Sequence, residues 1–244
     1  MMIGLGEQFF ASFPARNELL WFIMLLFNFA GILAAYRFFG PMGLYAWLPI
    51  AVIIANIQVA KIVQVFGLSA SLGNIVYATS FLATDILSEN HGRRDALKAV
   101  GFGFLSLIAL TLFMNLALLF TPSPVDFAHE SMLRLYNLLP RIALASFIAY
   151  GVSQLHDVWA YALMKRRRPT AKWIWLRNNA STMLSQAIDS VIFVSIAFAG
   201  VVPAREFWQI VLTTYVLKCA VAAADTPLIY IAVQWKLRGK IDGN

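Results

Sequence analysis

Asn178, Thr182, Ser185 and Asp189 recur at i, i+4, i+7 and i+11. That spacing lines one face of an α-helix. The segment that carries them, RNNASTMLSQAIDSVIFVSIAFAG, runs into a stretch apolar enough for lipid. Gln186, Ser190 and Phe193 adjoin the polar face. An ionisable side chain at the centre of a spanning helix costs about 3 kcal/mol or more, so it faces a bundle interior or an aqueous cavity. An amide both donates and accepts, and a carboxylate accepts two parallel N–H bonds. The stripe is therefore suited to recognising a polar solute.

Other segments carry matching stripes. Asp85 and Glu89 stand four apart, and Lys218 and Asp225 seven apart, each pair on one helical face. Asn56, Gln58, Lys61 and Gln64 share one apolar stretch, and Asn74, Tyr77, Thr84 and Asp85 another. Arg141, His156 and Asp157 share a further one. The simplest arrangement points these stripes at one another around a single shared cavity. Its candidate solute-binding residues are Asn74, Tyr77, Asp85, Glu89, Asn179, Ser185, Gln186, Asp189 and Phe193. Lys61, Arg141, Lys218 and Asp225 are candidate coupling or structural charges. Each has a plainer reading. Ser and Thr in membrane helices bond their own backbone or hold helices together. Asp85 and Glu89 can pair with Arg93 or Arg94, Lys218 and Asp225 with partners on another helix, and His156 and Asp157 can sit solvated near an interface. Carboxylates and amides together read the N–H and C=O edges of a nucleobase, and aromatic rings stack on a flat heterocycle. The composition suits a planar, neutral or weakly cationic, hydrogen-bond-rich molecule. A phosphate would call for clustered Arg.

The elements that position these groups follow from composition. Of 244 residues, 60% are hydrophobic and 13% charged, against about 25% charged in soluble domains. Apolar runs near twenty residues match the length that crosses about 30 Å of hydrocarbon. The fold class expected is an all-α polytopic transmembrane bundle in one domain, 1–244. Its seven segments lie at about 18–39, 43–66, 71–90, 97–120, 138–164, 178–200 and 206–235. Segment 71–90 is the least apolar and could be partly re-entrant, and Pro227 predicts a kink in the last.

The basic stretches NHGRRDALK, KRRRPTAKWIWLR and KLRGK alternate with poorly charged or acidic loops such as TPSPVDFAHES. Lys and Arg are retained in the cytoplasm, which places the N-terminus outside and the C-terminus inside. The net charge of +7 has the same cause and predicts no nucleic-acid partner. The single cysteine, Cys219, excludes an intrachain disulfide. The N-terminal MMIGLGEQFFASFPARNELL lacks a basic region followed by an apolar core, so the first helix is expected to serve as its own insertion signal.

NIQVAKIV, GLSASLGNIVYATSFLATDILSENHGRRDA, RIALASFIAYGVSQLHDV and the stripe segment RNNASTMLSQAIDSVIFVSIAFAG together resemble the queuosine precursor transporter family, also called the vitamin uptake transporter family. The resemblance covers roughly residues 45–235. It implies a bacterial inner-membrane carrier that imports 7-cyano-7-deazaguanine, 7-aminomethyl-7-deazaguanine or a queuine-type base for transfer RNA modification. Asn56, Gln58, Lys61, Asn74, Tyr77, Thr84, Asp85, Glu89, Arg141, Asp157, Asn179, Ser181, Ser185, Gln186, Asp189 and Lys218 are the matching positions. Some members have six crossings, which would make 18–39 an extra helix.

No GxxxxGK[ST] loop occurs, so no ATP use of its own and no cofactor, metal or enzymatic activity is expected. Secondary or facilitated transport is the primary reading. A substrate-binding subunit that needs a separate ATP-driven module is the alternative. Lys218 in the last segment raises a retinal Schiff base, but TTYVLKCAVAAADTPL does not resemble that family. Asp189 and Asp225 raise an aspartyl protease, but the GxGD element is missing. A homodimer is compatible with a carrier this small, though no GxxxG dimer face marks one.

Overall fold

The computed structural model describes residues 16–59, 61–66, 68–137, 140–200 and 203–241. It is almost wholly helical. In chain order the elements are α1 (Arg16–Gln58), β1 (Ile62–Val65), β2 (Leu68–Ser71), α2 (Gly73–Asn90), α3 (Arg93–Leu118), α4 (His129–Asn137), α5 (Pro140–Arg167), a 3-10 turn (Ala171–Trp173), α6 (Ile174–Phe198) and α7 (Ala204–Leu237). Among the described residues, four stretches are long and apolar enough to cross a membrane: Arg16–Gln58, Arg93–Leu118, Ala171–Ala197 and Phe207–Leu237.

The helix α1 is two antiparallel limbs. Gly40 breaks it at φ 58°, ψ −144°, a left-handed conformation that glycine adopts without penalty. Pro41 opens the second limb, where its missing N–H is no loss. Gly31 packs against the Trp47 ring and Gly43 against the Ala35 carbonyl. Both contacts centre on the same turn, so the limbs fold back on each other. A Cβ at Gly43 would stand 2.1 Å from that carbonyl oxygen, which explains the glycine.

The expected second segment, 43–66, ends early. Its helix stops at Gln58, and residues 62–71 form an antiparallel hairpin with Ile62 opposite Ser71 and Val65 opposite Leu68. Ile62, Val63 and Val65 supply the β-branched residues that suit a strand. The backbone N–H of Phe66 donates to Glu18, and Phe66 meets Trp21 and Phe22 edge-on, fastening the hairpin to the first limb. The bundle is therefore not purely α. Segment 71–90, the least apolar, is an uninterrupted helix rather than a re-entrant loop. Every residue from Ala78 to Ser88 in α2 is buried. Its polarity marks the centre of the bundle, screened from lipid by α1, α3, α5 and α7.

Candidate functional site

Helix pairing sets the order of the polar groups. Along α2 and α6, Tyr77 meets Asp189, Asp85 meets Thr182 and Glu89 meets Arg177. The numbers rise on one helix as they fall on the other, so the two run antiparallel. Likewise Asp189 meets Lys218 and Asn178 meets Asp225 between α6 and α7. The polar stripes do turn inward, but they form three tiers along the axis rather than the single expected pocket. From the α2 side, Tyr77 to Asp85 spans about 12 Å and Asp85 to Glu89 about 6 Å at 1.5 Å per residue.

The first tier surrounds a cleft lined by Val52, Asn56, Asn74, Tyr77, Tyr150, Asp189, Phe193 and Lys218 among others. Asp189 is its hub. Its Oδ1 accepts from Tyr77 at 2.5 Å and from Ser153 at 3.1 Å, and its Oδ2 pairs with the Lys218 ammonium. Both charged side chains are 3% exposed. The Lys218 Nζ also lies 4.7 Å from the centre of the Tyr77 ring, a cation–π position. One neutral ion pair, two ring-bearing walls and the amides of Asn56 and Asn74 thus face one space.

The middle tier is closed. Asp85, Asp157 and Asp225 are fully buried, with Asn178 donating to Asp225 at 2.8 Å and Thr182 to Asp85 at 3.2 Å. His156 and Ser185 are hydrogen-bonded at 2.8 Å beside them. Gln186 is buried one turn from Thr182, with neither amide atom bonded among the described residues. Asn179 bonds Thr226 at 2.8 Å and the Trp175 carbonyl. The third tier fastens one end of the bundle. Arg177, fully buried, pairs with Glu89 at 2.7 Å and donates to the carbonyls of Arg168 and Thr170. Lys165 pairs with Glu89 at 3.6 Å, and Tyr161 donates to Glu89 at 3.1 Å. At the same end Lys236 donates to the Asn90 carbonyl, Arg37 to the Lys240 carbonyl, and Tyr36 bonds His91 at 3.1 Å. The basic loops of the sequence therefore gather on one side.

Of the sequence candidates, Asn74, Tyr77, Asp189 and Phe193 line the cleft, with Lys218. Asp85, Asn179, Ser185 and Gln186 are not among its lining residues, and neither is Glu89, which pairs with Arg177 and Lys165 rather than with Arg93 or Arg94. Asp225 joins the middle tier. Lys61 is exposed in the turn before β1, outside any helix, so it is no buried charge. Arg141 donates to the carbonyls of Ile196 and Ala199 at 2.6 and 2.7 Å, satisfying groups at the end of α6 that lack a helical partner. Asp157 is fully buried rather than solvated. Sequence reading overlooked Tyr150, Ser153 and Gln154. Tyr150, Ser153, Asp157 and Tyr161 follow helical spacing on α5, so periodicity was the available signal.

Residues 71–232 match the model of a family described as "Putative vitamin uptake transporter". A Bacillus subtilis (strain 168) protein called "Probable queuosine precursor transporter" is 41% identical over 216 residues, covering 88% of this chain and 94% of the relative. An Escherichia coli (strain K12) protein called "Queuosine precursor transporter" is 28% identical over 171 residues, covering 69% of this chain and 74% of the relative. A Haemophilus influenzae relative with the same name as the first is 32% identical over 134 residues, or 54% of each chain. No solved structure matches.

Proposed function

The chain belongs to the vitamin uptake transporter family, and on that premise we propose that it imports a queuosine-precursor base across the bacterial inner membrane. The relatives' names support the solute class. The observation that carries the reading is the first-tier cleft, where the Asp189–Lys218 pair, the amides of Asn56 and Asn74, and the rings of Tyr77 and Phe193 line one space. Amides and a carboxylate serve the donor and acceptor edges of a deazaguanine, and the rings serve its face.

The two limbs of α1 with α2, α3, α5, α6 and α7 make seven crossings. The amino end is outside, and the basic loops are at the cytoplasmic face. The cleft lies between the first turns of α2 and the later turns of α6, toward the hairpin end, and is reached from outside. Below it the middle tier and the Glu89–Arg177–Lys165 network close the path inward. Asp189 already receives three donors. A base that presents paired N–H groups to this carboxylate displaces at least one of them, and Lys218 is the mobile one, on its flexible stem. That exchange links solute binding to the α6–α7 contact. Rocking of the two helix groups then opens the inner tiers.

Uptake of radiolabelled 7-cyano-7-deazaguanine by cells expressing the protein tests this. Asp189→Ala and Asn74→Ala should each abolish or strongly reduce it. Normal uptake with both would remove the cleft from the role. Uptake by purified protein alone in liposomes separates a self-sufficient carrier from a binding subunit of an ATP-driven assembly.

A further inference from the structure

We propose that Asp85, Asp157 and Asp225 form a proton-binding site that energises transport. The transport half rests on the function proposed above; the proton-binding half does not. The three carboxylates come from α2, α5 and α7, are fully buried and face one another. Their donors are few. Thr182 serves Asp85 Oδ2, and the Asn178 amide serves Asp225 Oδ1. Asp85 Oδ1, both oxygens of Asp157 and Asp225 Oδ2 are buried without a hydrogen-bond partner among the described residues. So is Asn178 Oδ1, on the fully buried amide whose nitrogen holds Asp225. Five acceptor atoms thus share one buried space, and the hydroxyls that lie against Asp157, those of Ser181, Thr182 and Ser185, are already directed to the Asn178 carbonyl, Asp85 and the Ser181 carbonyl.

Among the described residues, no ionic partner fills the deficit. The facing groups are Asp85 and Glu89 on α2, and His156, Asp157 and Tyr161 on α5. On α6 they are Arg177, Asn178, Thr182 and Ser185, and on α7 Asp225 and Thr226. Arg177 and Lys165 are held by Glu89, and Lys218 by Asp189. His156 is engaged by Ser185. Three adjacent buried carboxylates without a cation cannot all be ionised. No three acidic, His or Cys side chains among the described residues are arranged to hold a metal ion. A proton resolves both problems at once. It removes one charge and turns one acceptor oxygen into an O–H donor for its neighbour.

Position makes this site a transmission point. It lies between the cleft and the Glu89 network, about 10 Å along α6 from Asp189. It draws one carboxylate from each of three helices that also frame those tiers. A proton taken from the outer water forms a carboxyl O–H and lets the helices close. Its release to cytoplasmic water restores the carboxylate and its repulsion, which loosens the inner tier.

Two measurements test this. Infrared spectra of the purified protein should show a protonated-carboxyl stretch at neutral pH that weakens in Asp225→Asn, with Asp157→Asn as the second variant should the first fail to fold. Absence of that band in the wild type overturns the site, whatever the protein transports. In proteoliposomes, an acid-outside gradient should drive 7-cyano-7-deazaguanine above equilibrium in the wild type, and a protonophore should abolish this. The variant should still exchange label across equal solutions but lose accumulation. Accumulation that ignores the pH gradient, follows sodium instead, or persists in the variant overturns the coupling. A carboxyl band in a protein that moves no base in any arm refutes the assigned solute and leaves the proton site standing.

Discussion

Replacing Lys218 by Met should destabilise the bundle, and the amount follows from the geometry of the first tier. The ammonium and the Asp189 carboxylate are each 3% exposed, so water does little to stabilise whichever charge remains. Removing one member of a buried pair costs about 3–5 kcal/mol. Asp189 keeps two hydroxyl donors, Tyr77 at 2.5 Å and Ser153 at 3.1 Å, which holds the loss near the lower bound. The forfeited contact with the Tyr77 ring adds on the order of 1 kcal/mol, so about 4 kcal/mol is expected. At roughly 2–4 °C per kcal/mol for a chain of this size, the melting temperature should fall by roughly 10 °C. The double variant Lys218→Met, Asp189→Asn removes both charges and should recover much of that loss, with an interaction free energy of about 2 kcal/mol in a double-mutant cycle. Thermal unfolding of the detergent-purified proteins, followed by intrinsic fluorescence, reads all four corners of the cycle. A Lys218→Met protein that melts with the wild type, or a double variant as unstable as the two single losses added, would refute the buried pair.

Other positions give independent checks. A Cβ at Gly73 would stand 2.4 Å from the Ala55 carbonyl oxygen and 3.0 Å from the Val59 nitrogen. Gly73→Ala should therefore push α2 off the second limb, lowering stability by about 1–3 kcal/mol and base uptake with it. Gly101, whose Cβ direction is open, supplies the silent control in Gly101→Ala. Glu89→Gln leaves the fully buried Arg177 without its carboxylate and should cost about 3–5 kcal/mol, seen as a lower melting temperature; Glu89→Gln with Arg177→Met should melt higher than the single variant. His91, in the turn after α2, is held below the usual imidazole range by burial and by the nearby Lys236 ammonium. Folding thus favours its neutral form, so its contribution is complete above about pH 6.5 and is lost as the pH falls. The melting temperature should drop between pH 7 and 5, and His91→Gln should reduce the drop.

The helical membrane architecture was legible because lipid permits few solutions. Apolar runs of set length, basic loops on alternate connections and proline at the stops are all local signals. The hairpin at 62–71 was not legible, because Ile62, Val63, Val65 and Leu68 read equally well as the end of an apolar helix. Short apolar runs carry no period that separates the two. What decides it is tertiary: Glu18 and Trp21 on the first limb hold the turn at Phe66.

The site shows the same division one level up. Spacing identified which face of each helix is polar, and Asp189, Tyr77, Asn74 and Lys218 do share a cleft. Spacing carries no information on the relative height of helices, and height separates Asp189 from Asp85 and Glu89. An antiparallel pair with a different register would have placed Asp85 opposite Asp189 and made one acidic pocket. The observed register instead puts Lys218 beside Asp189 and Arg177 beside Glu89, so each outer carboxylate has its cation. The central three do not. That distribution follows from the seven residues that separate Lys218 from Asp225 on α7. Two helical turns carry the positive charge to the cleft and leave Asp225 with the acids. A shift of α7 by two turns would pair Lys218 with the middle tier and leave Asp189 unopposed. The α6–α7 register therefore decides at once which tier pairs its carboxylate with a cation and which is left with carboxylates alone.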